Sequence, residues 1–245
     1  MTDQPTIAQQ EPRPGLFSRI INVFFTPSKT FASLIQKPDW ITPLIVTLLL
    51  MTAFMIFLND VIQSEQAAAT RDAIMKSTRI ADSQKEEIAE QQIKMMKNFW
   101  FVGVIIGYVA AVALYFLAGL GLWIAGNIIL GKGPKYLQAL SVYGYAMLID
   151  ILAMIIKIPL MVKNQTIRMD TGLGILVSKE ESRSALYSFL SSFDLFTFWE
   201  LALLTIGLAM LYKASKGKTA GMVFALWFII VLIKVGFTAL GKLFS

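Results

Sequence analysis

The chain has 245 residues and contains neither cysteine nor histidine. Those absences remove disulfides, thiol nucleophiles, Cys/His zinc sites and imidazole acid–base chemistry together. They say little about redox compartment, because nothing is present to oxidise. Charge is also scarce, and its spacing is more telling than its amount. No charged residue occurs from Ile41 to Leu58, and none from Phe99 to Leu130. A helix that crosses the hydrocarbon core needs about 20 apolar residues, and soluble helices rarely run that far uncharged. With 56% hydrophobic residues and a mean hydropathy of +0.63, the chain reads as an all-α, polytopic membrane protein.

The net charge of +6 would raise nucleic acid as a partner in a soluble protein. Here a cytoplasmic excess of Lys and Arg, facing anionic headgroups, accounts for it, and no nucleic acid is expected. The opening MTDQPTIAQQEPRPG is polar and proline-rich, without the apolar core of a secretory signal. A disordered tail is expected over 1–15, amphipathic interfacial helices over 16–38, and a membrane domain over 39–245.

Five transmembrane helices are expected, at about 41–60, 99–130, 136–160, 195–213 and 219–241. The second is long for one crossing and must tilt, bend or project. Short basic flanks set the orientation. Arg13, Arg19, Lys29 and Lys37 precede the first span, Lys132 and Lys135 fill the second loop, and Lys213, Lys216 and Lys218 the fourth. These regions share a side, which puts the N-terminus in the cytoplasm and the C-terminus outside.

Before the first span, Phe17, Arg19, Ile20, Phe24, Lys29 and Phe31 combine helical apolar spacing with basic charge, broken at Pro27 and ended by Pro38. Such a segment either lies in the cytoplasmic headgroup plane, with these residues as its lipid contact, or packs on the protein's own bundle. The loop at 61–98 is polar and helix-favouring, so an extramembrane helical hairpin is expected between the first two spans. Ser83 to Glu86 fits a capping box, and Glu90 and Lys94 form an i, i+4 pair. The third loop repeats the cap logic at Ser178 and Glu181, followed by an apolar side of Leu186, Phe189, Leu190 and Phe193.

Charges inside the spans are the best candidates for function, because burying them is costly. They are Asp150, Lys157, Glu200 and Lys234. At about 1.5 Å per residue, Asp150 and Lys234 lie about 20 Å from the cytoplasmic side and Glu200 about 8 Å below the outer face. One outer-half layer results, with Lys157 near enough to the surface to snorkel. Tyr143, Met147 and Met154 share the Asp150–Lys157 stripe. The layer is either a polar pocket or ion path, or an ion-pair network holding the last three spans together. Gly103 and Gly107, with Ala111, form a small-residue stripe suited to close helix packing. Trp40, Trp100, Trp123 and Trp199 lie near span ends, as an aromatic belt requires. Gly131-Lys132-Gly133 is a turn and lacks the phosphate-loop pattern.

Three stretches, taken in order, resemble the Yip domain family of five-span membrane proteins: FTPSKTFASLIQKPDWITPL, ALSVYGYAMLIDIL and FDLFTFWELALLTIGLAMLYKASKGKTAGMVFALW. The resemblance covers roughly residues 16–243. Eukaryotic members are associated with Rab-type GTPases and with traffic between endoplasmic reticulum and Golgi. This chain lacks their long N-terminal cytosolic domain and their acidic Asp-Leu-Tyr-Gly-Pro type motif, and its long helical first loop is more like that of the prokaryotic relatives. Rab binding is therefore not carried over, and the family offers no catalytic residue, metal or cofactor to carry. The resemblance implies a bacterial inner-membrane protein whose partners are the lipid bilayer, other membrane proteins or itself. A non-enzymatic membrane-organising or scaffolding role is expected, with a small transporter or channel using Asp150, Glu200 and Lys234 as the alternative. An enzyme would have only the Asp150–Glu200 carboxylates to work with.

Overall fold

The computed structural model describes residues 15–177 and 184–243. The tail expected over 1–15, apart from Gly15, and the cap at Ser178 and Glu181 lie outside the described residues. Among the described residues the fold is all helical: α1 (Leu16–Phe25), α2 (Pro27–Gln36), α3 (Ile41–Lys76), α4 (Asp82–Asn98), α5 (Trp100–Ile129), α6 (Tyr136–Met147), α7 (Ile149–Asn164), α8 (Ala185–Leu190), α9 (Leu195–Tyr212) and α10 (Lys216–Leu243). Five helical segments are long and apolar enough to cross a membrane: Ile41–Lys76, Trp100–Ile129, Tyr136–Asn164, Leu195–Tyr212 and Lys216–Gly241. The fold is thus a five-span helical bundle.

Several spans exceed one bilayer crossing, and each for a local reason. α3 continues past Leu58 because the following SEQAAATRDAIMK is rich in strong helix formers, so nothing stops the helix at the membrane surface. α4 returns alongside it and passes through Phe99 into α5, which gives the hairpin. Its start differs from the capping box expected at Ser83. Asp82 is already helical and pairs with Lys85 at 2.6 Å, so Ser83 sits inside the first turn. Arg71–Glu86 ties the two helices of the hairpin together, and the i, i+4 pair expected at Glu90 and Lys94 is absent from the ion pairs of the described residues.

The third span steps at Leu148, whose N–H bonds back only three residues to Tyr145 O at 3.3 Å. α6 ends there and α7 begins, one residue before Asp150. α8 is short, capped by the Ser184 side chain, and packs on α10 rather than hanging free. Phe193 links the two through an edge contact with Trp227, ring centroids 5.3 Å apart.

The core gathers Val23, Phe31 and Leu34 from the lead-in with Val142 and Tyr145 of α6, Leu204 and Leu208 of α9, and Met222 of α10. Close approach is built on four glycines. A Cβ at Gly119 would meet Leu140, at Gly126 the Tyr212 ring, at Gly144 Tyr115 and Pro43, and at Gly207 Val142 and Phe31. The stripe expected to pack, Gly103 and Gly107, has nothing within 4 Å. The tight helix crossings lie elsewhere because their glycines face large side chains of neighbouring spans, whereas α3 and α5 diverge beside Gly103.

Candidate functional site

Three polar groupings run through the bundle. The first lies where the lead-in meets the first and third spans. Arg19 of α1, only 7% exposed, donates from Nη1 to Asp39 Oδ2 at 2.5 Å. Tyr145 of α6 donates its hydroxyl to the same oxygen at 2.8 Å. The other carboxylate oxygen accepts the Thr42 N–H at 3.3 Å, and the Asp39 N–H donates to Ser141 Oγ at 2.9 Å. Two further bonds hold the junction, from Tyr115 to Trp40 O at 2.9 Å and from Gln138 to Ile35 O at 2.7 Å. Burial opposes the charge on Asp39, but the hydrogen bonds from Tyr145 and Thr42 and the Arg19 guanidinium outweigh it, so its carboxyl is held below the ordinary range. Arg19 Nε and Thr30 Oγ1 are buried without a hydrogen-bond partner among the described residues.

This network makes α1 and α2 a docked collar. Of the segment's candidate lipid contacts, Arg19 and Phe31 are buried, Ile20 and Phe24 half-buried, and Phe17 and Lys29 exposed. Arg19 turns inward because Asp39 waits there, and Phe31 because the missing side chain of Gly207 leaves room. The opposite face of α1 stays bare: Leu16, Phe17, Ile21 and Phe25, with Phe17 at 74% and Phe25 at 77% exposure. The collar also reaches deep. Phe24 packs against the cluster of Ile149, Ala153 and Phe196, and Ile149 lies about 20 Å along the span from Tyr136.

The second grouping is at the opposite end. Lys157 of α7 donates to Asp194 Oδ2 at 3.2 Å, and Thr171 donates to the same oxygen. Asp194 Oδ1 accepts the Phe196 N–H at 2.8 Å, which caps α9. Burial again works against the carboxylate, and the Thr171 and Phe196 hydrogen bonds with the Lys157 charge overcome it, holding Asp194 below the ordinary range. Nearby, burial and a hydrogen bond to Asp170 push the Tyr187 hydroxyl up to about 12. The loop is tied to the hairpin by the Ile167 N–H on Glu65 Oε1 at 3.1 Å.

Between these lies the pair Asp150 and Glu200. The structure sets them near one another and near Tyr143, both half-buried, with the Asp150 charge acting on Glu200. Neither has a hydrogen-bond or ion-pair partner among the described residues. Of the two lysines of the expected layer, only Lys157 lies close enough for its charge to act on Asp150, and neither forms an ion pair with either acid. Lys157 is engaged by Asp194 instead, and Lys234 is exposed on α10 with no ion pair among the described residues. Among the described residues there is also no group of three or more His, Cys, Asp or Glu suited to a metal. Nothing in the sequence pattern singles out Asp39 and Asp194, the acids that organise both ends. The one available signal is position: Asp194 is the N-cap of its span and Asp39 lies two residues before the first, where a helix N-terminus favours a negative charge.

A family model for the Yip1 domain matches residues 21–237. No curated protein and no solved structure matches the chain. The match begins within α1 and ends near the end of α10, so the docked collar and all five spans fall inside it.

Proposed function

The chain belongs to the Yip1 domain family of membrane proteins, and we propose that it is a non-enzymatic, prokaryotic-type member that organises the membrane around it. One observation carries this reading. A short helix pair is joined to the spans by Arg19 and Asp39, packs into the bundle as far as Phe196, and leaves the wholly apolar strip of Leu16, Phe17, Ile21 and Phe25 uncovered. Apolar area displayed beside the spans takes up room among the lipid chains on one flank of the bundle, and the exposed Lys29 attracts anionic lipid. In this proposal the pair enters from the cytoplasmic side of an inner membrane.

The protein reconstituted in vesicles of phosphatidylethanolamine and phosphatidylglycerol should shrink their mean diameter as the protein-to-lipid ratio rises. Phe17→Ala/Phe25→Ala should lessen that effect while leaving incorporation unchanged. Vesicles of unaltered size would defeat the proposal. A second reading, transport, draws on Asp150 and Glu200, which have no hydrogen-bond or ion-pair partner among the described residues, since a carboxylate within a span is expensive to keep. Proton or cation flux through the same vesicles, lost in Glu200→Gln, would favour it.

A further inference from the structure

On the side of the molecule that carries the hairpin, α3 and the α4–α5 segment part to leave a cleft of about 800 Å³. Two contacts bound it. The Thr52 and Tyr108 hydroxyls meet at 2.6 Å at its floor, and Thr70 Oγ1 donates to Met96 Sδ at 3.3 Å toward the hairpin. Between them the lining changes character along one direction. Near the floor it is Met51, Met55, Gly103 and Gly107; toward the hairpin it is Gln66, Gln92 and Lys97. The lining includes one cation and no acid. The changeover falls at Asn59 and Trp100, where α3 loses its apolar run and α5 begins with an interfacial tryptophan.

We propose that this cleft binds a single phospholipid with an anionic headgroup, its acyl chains against the methionines and glycines and its phosphate beside Lys97. The volume lies within the roughly 300–1,000 Å³ usual for small-molecule sites. Methionine side chains re-pack readily around an irregular chain, and the two glycines present open space where side chains would otherwise fill the wall. The floor discriminates against a second copy of the chain. Thr52 lies about 10 Å below Asn59 along the helix, whereas a hydrocarbon core is about 30 Å thick. A full transmembrane helix cannot seat in a cleft closed that early, while a lipid occupies one leaflet only. The site is separate from the α1 strip and does not depend on the proposed membrane-organising role.

The test uses the purified full-length protein in neutral detergent, titrated with fluorescent phosphatidylglycerol and with phosphatidylcholine of the same chains. Binding is expected to saturate, with phosphatidylglycerol favoured about fivefold, the preference that one basic residue confers beside an anionic headgroup. Lys97→Gln, a change at an exposed side chain, should bring the two lipids level. Gly103→Leu/Gly107→Leu should weaken both by about tenfold. Phe17→Ala/Phe25→Ala should leave both curves unchanged, which separates this site from the collar. Unsaturable binding, equal affinity for the two lipids in the unaltered protein, or wild-type binding in the glycine variant would each overturn the proposal. A glycine variant that lost oligomeric mass by light scattering but kept its lipid would assign the cleft to a second copy.

Discussion

At the scale of single residues, the Arg19–Asp39 pair is the most consequential contact in the molecule, since it couples the collar to the spans. Removing one partner of a buried pair leaves the other charge stranded, at about 3–5 kcal/mol in soluble proteins. Replacing both with apolar residues is often neutral. Asp39→Ala should therefore lower the thermal midpoint in detergent markedly, and Arg19→Met/Asp39→Leu should recover most of the loss. Additive losses would show that the two do not act as a pair. Acidity probes the same contact. The folded carboxyls of Asp39 and Asp194 lie below their ordinary value of 3.8, so their stabilisation is fully present above that value. It is lost as pH falls through the lower, folded value. Thermal stability should hold down to about pH 4 and fall below it, with a smaller fall in Asp39→Asn. An acid limb of unchanged size in that variant would remove Asp39 from the account. Neither residue stands out in the sequence. Arg19 looks like one more basic flank charge, Asp39 like one acid between a proline and a tryptophan, and no helical period joins positions twenty apart. Asp150 and Glu200 were legible as costly charges, but that neither forms an ion pair with Lys157 or Lys234 was not. The partner of Lys157 lies just outside α9, where hydropathy gives no reason to look.

At the scale of elements, the bundle is set by where helices can approach. Gly144 sits where Tyr115 and Pro43 leave no room for a Cβ, while Gly103 faces open space. Overpacking a close crossing costs about 1–3 kcal/mol, whereas a change at an open site stays within about 0.5 kcal/mol. Gly144→Ala should thus lower the midpoint and Gly103→Ala should leave it in place. Equal effects would mean that the third span does not pack on the first as closely as described. The pattern that attracts the eye, Gly103-x-x-x-Gly107, is the one without a helix against it, because spacing records where a helix could approach and not whether a neighbour is present. The spans themselves were readable for a simpler reason: lipid admits charge so reluctantly that uncharged runs mark helices without any tertiary information. The same rule is silent on the step at Leu148, where both sides are equally apolar, and on the length of α3, which helix propensity extends beyond the membrane.

At the scale of the whole molecule, the two ends differ in kind. One end gathers the lead-in, the turn at 131–135 and the turn before Lys216, joined by Gln138 to Ile35, Trp123 to Pro134 O and Tyr212 to Trp123 O. It carries Lys132, Lys135, Lys213, Lys216 and Lys218. The other end carries the α3–α4 hairpin and the loop tied to it through Glu65. Both signs occur on that hairpin, where Asp72, Asp82 and Glu86 pair with Lys76, Lys85 and Arg71. A basic, unbalanced end is the one retained in the cytoplasm. The chain has no cysteine of its own, so one introduced thiol is the only thiol a maleimide can meet on the protein. Ser83→Cys, exposed on the hairpin, should react with an impermeant maleimide added to intact cells, and Lys132→Cys, exposed in the basic turn, only after the membrane is opened. The reverse labelling would invert the orientation and move the collar's apolar strip to the outer leaflet. Labelling of both sites in intact cells would be a deeper failure. The two ends would then share a side, and a bundle of five spans with these connections could not be the structure in the membrane.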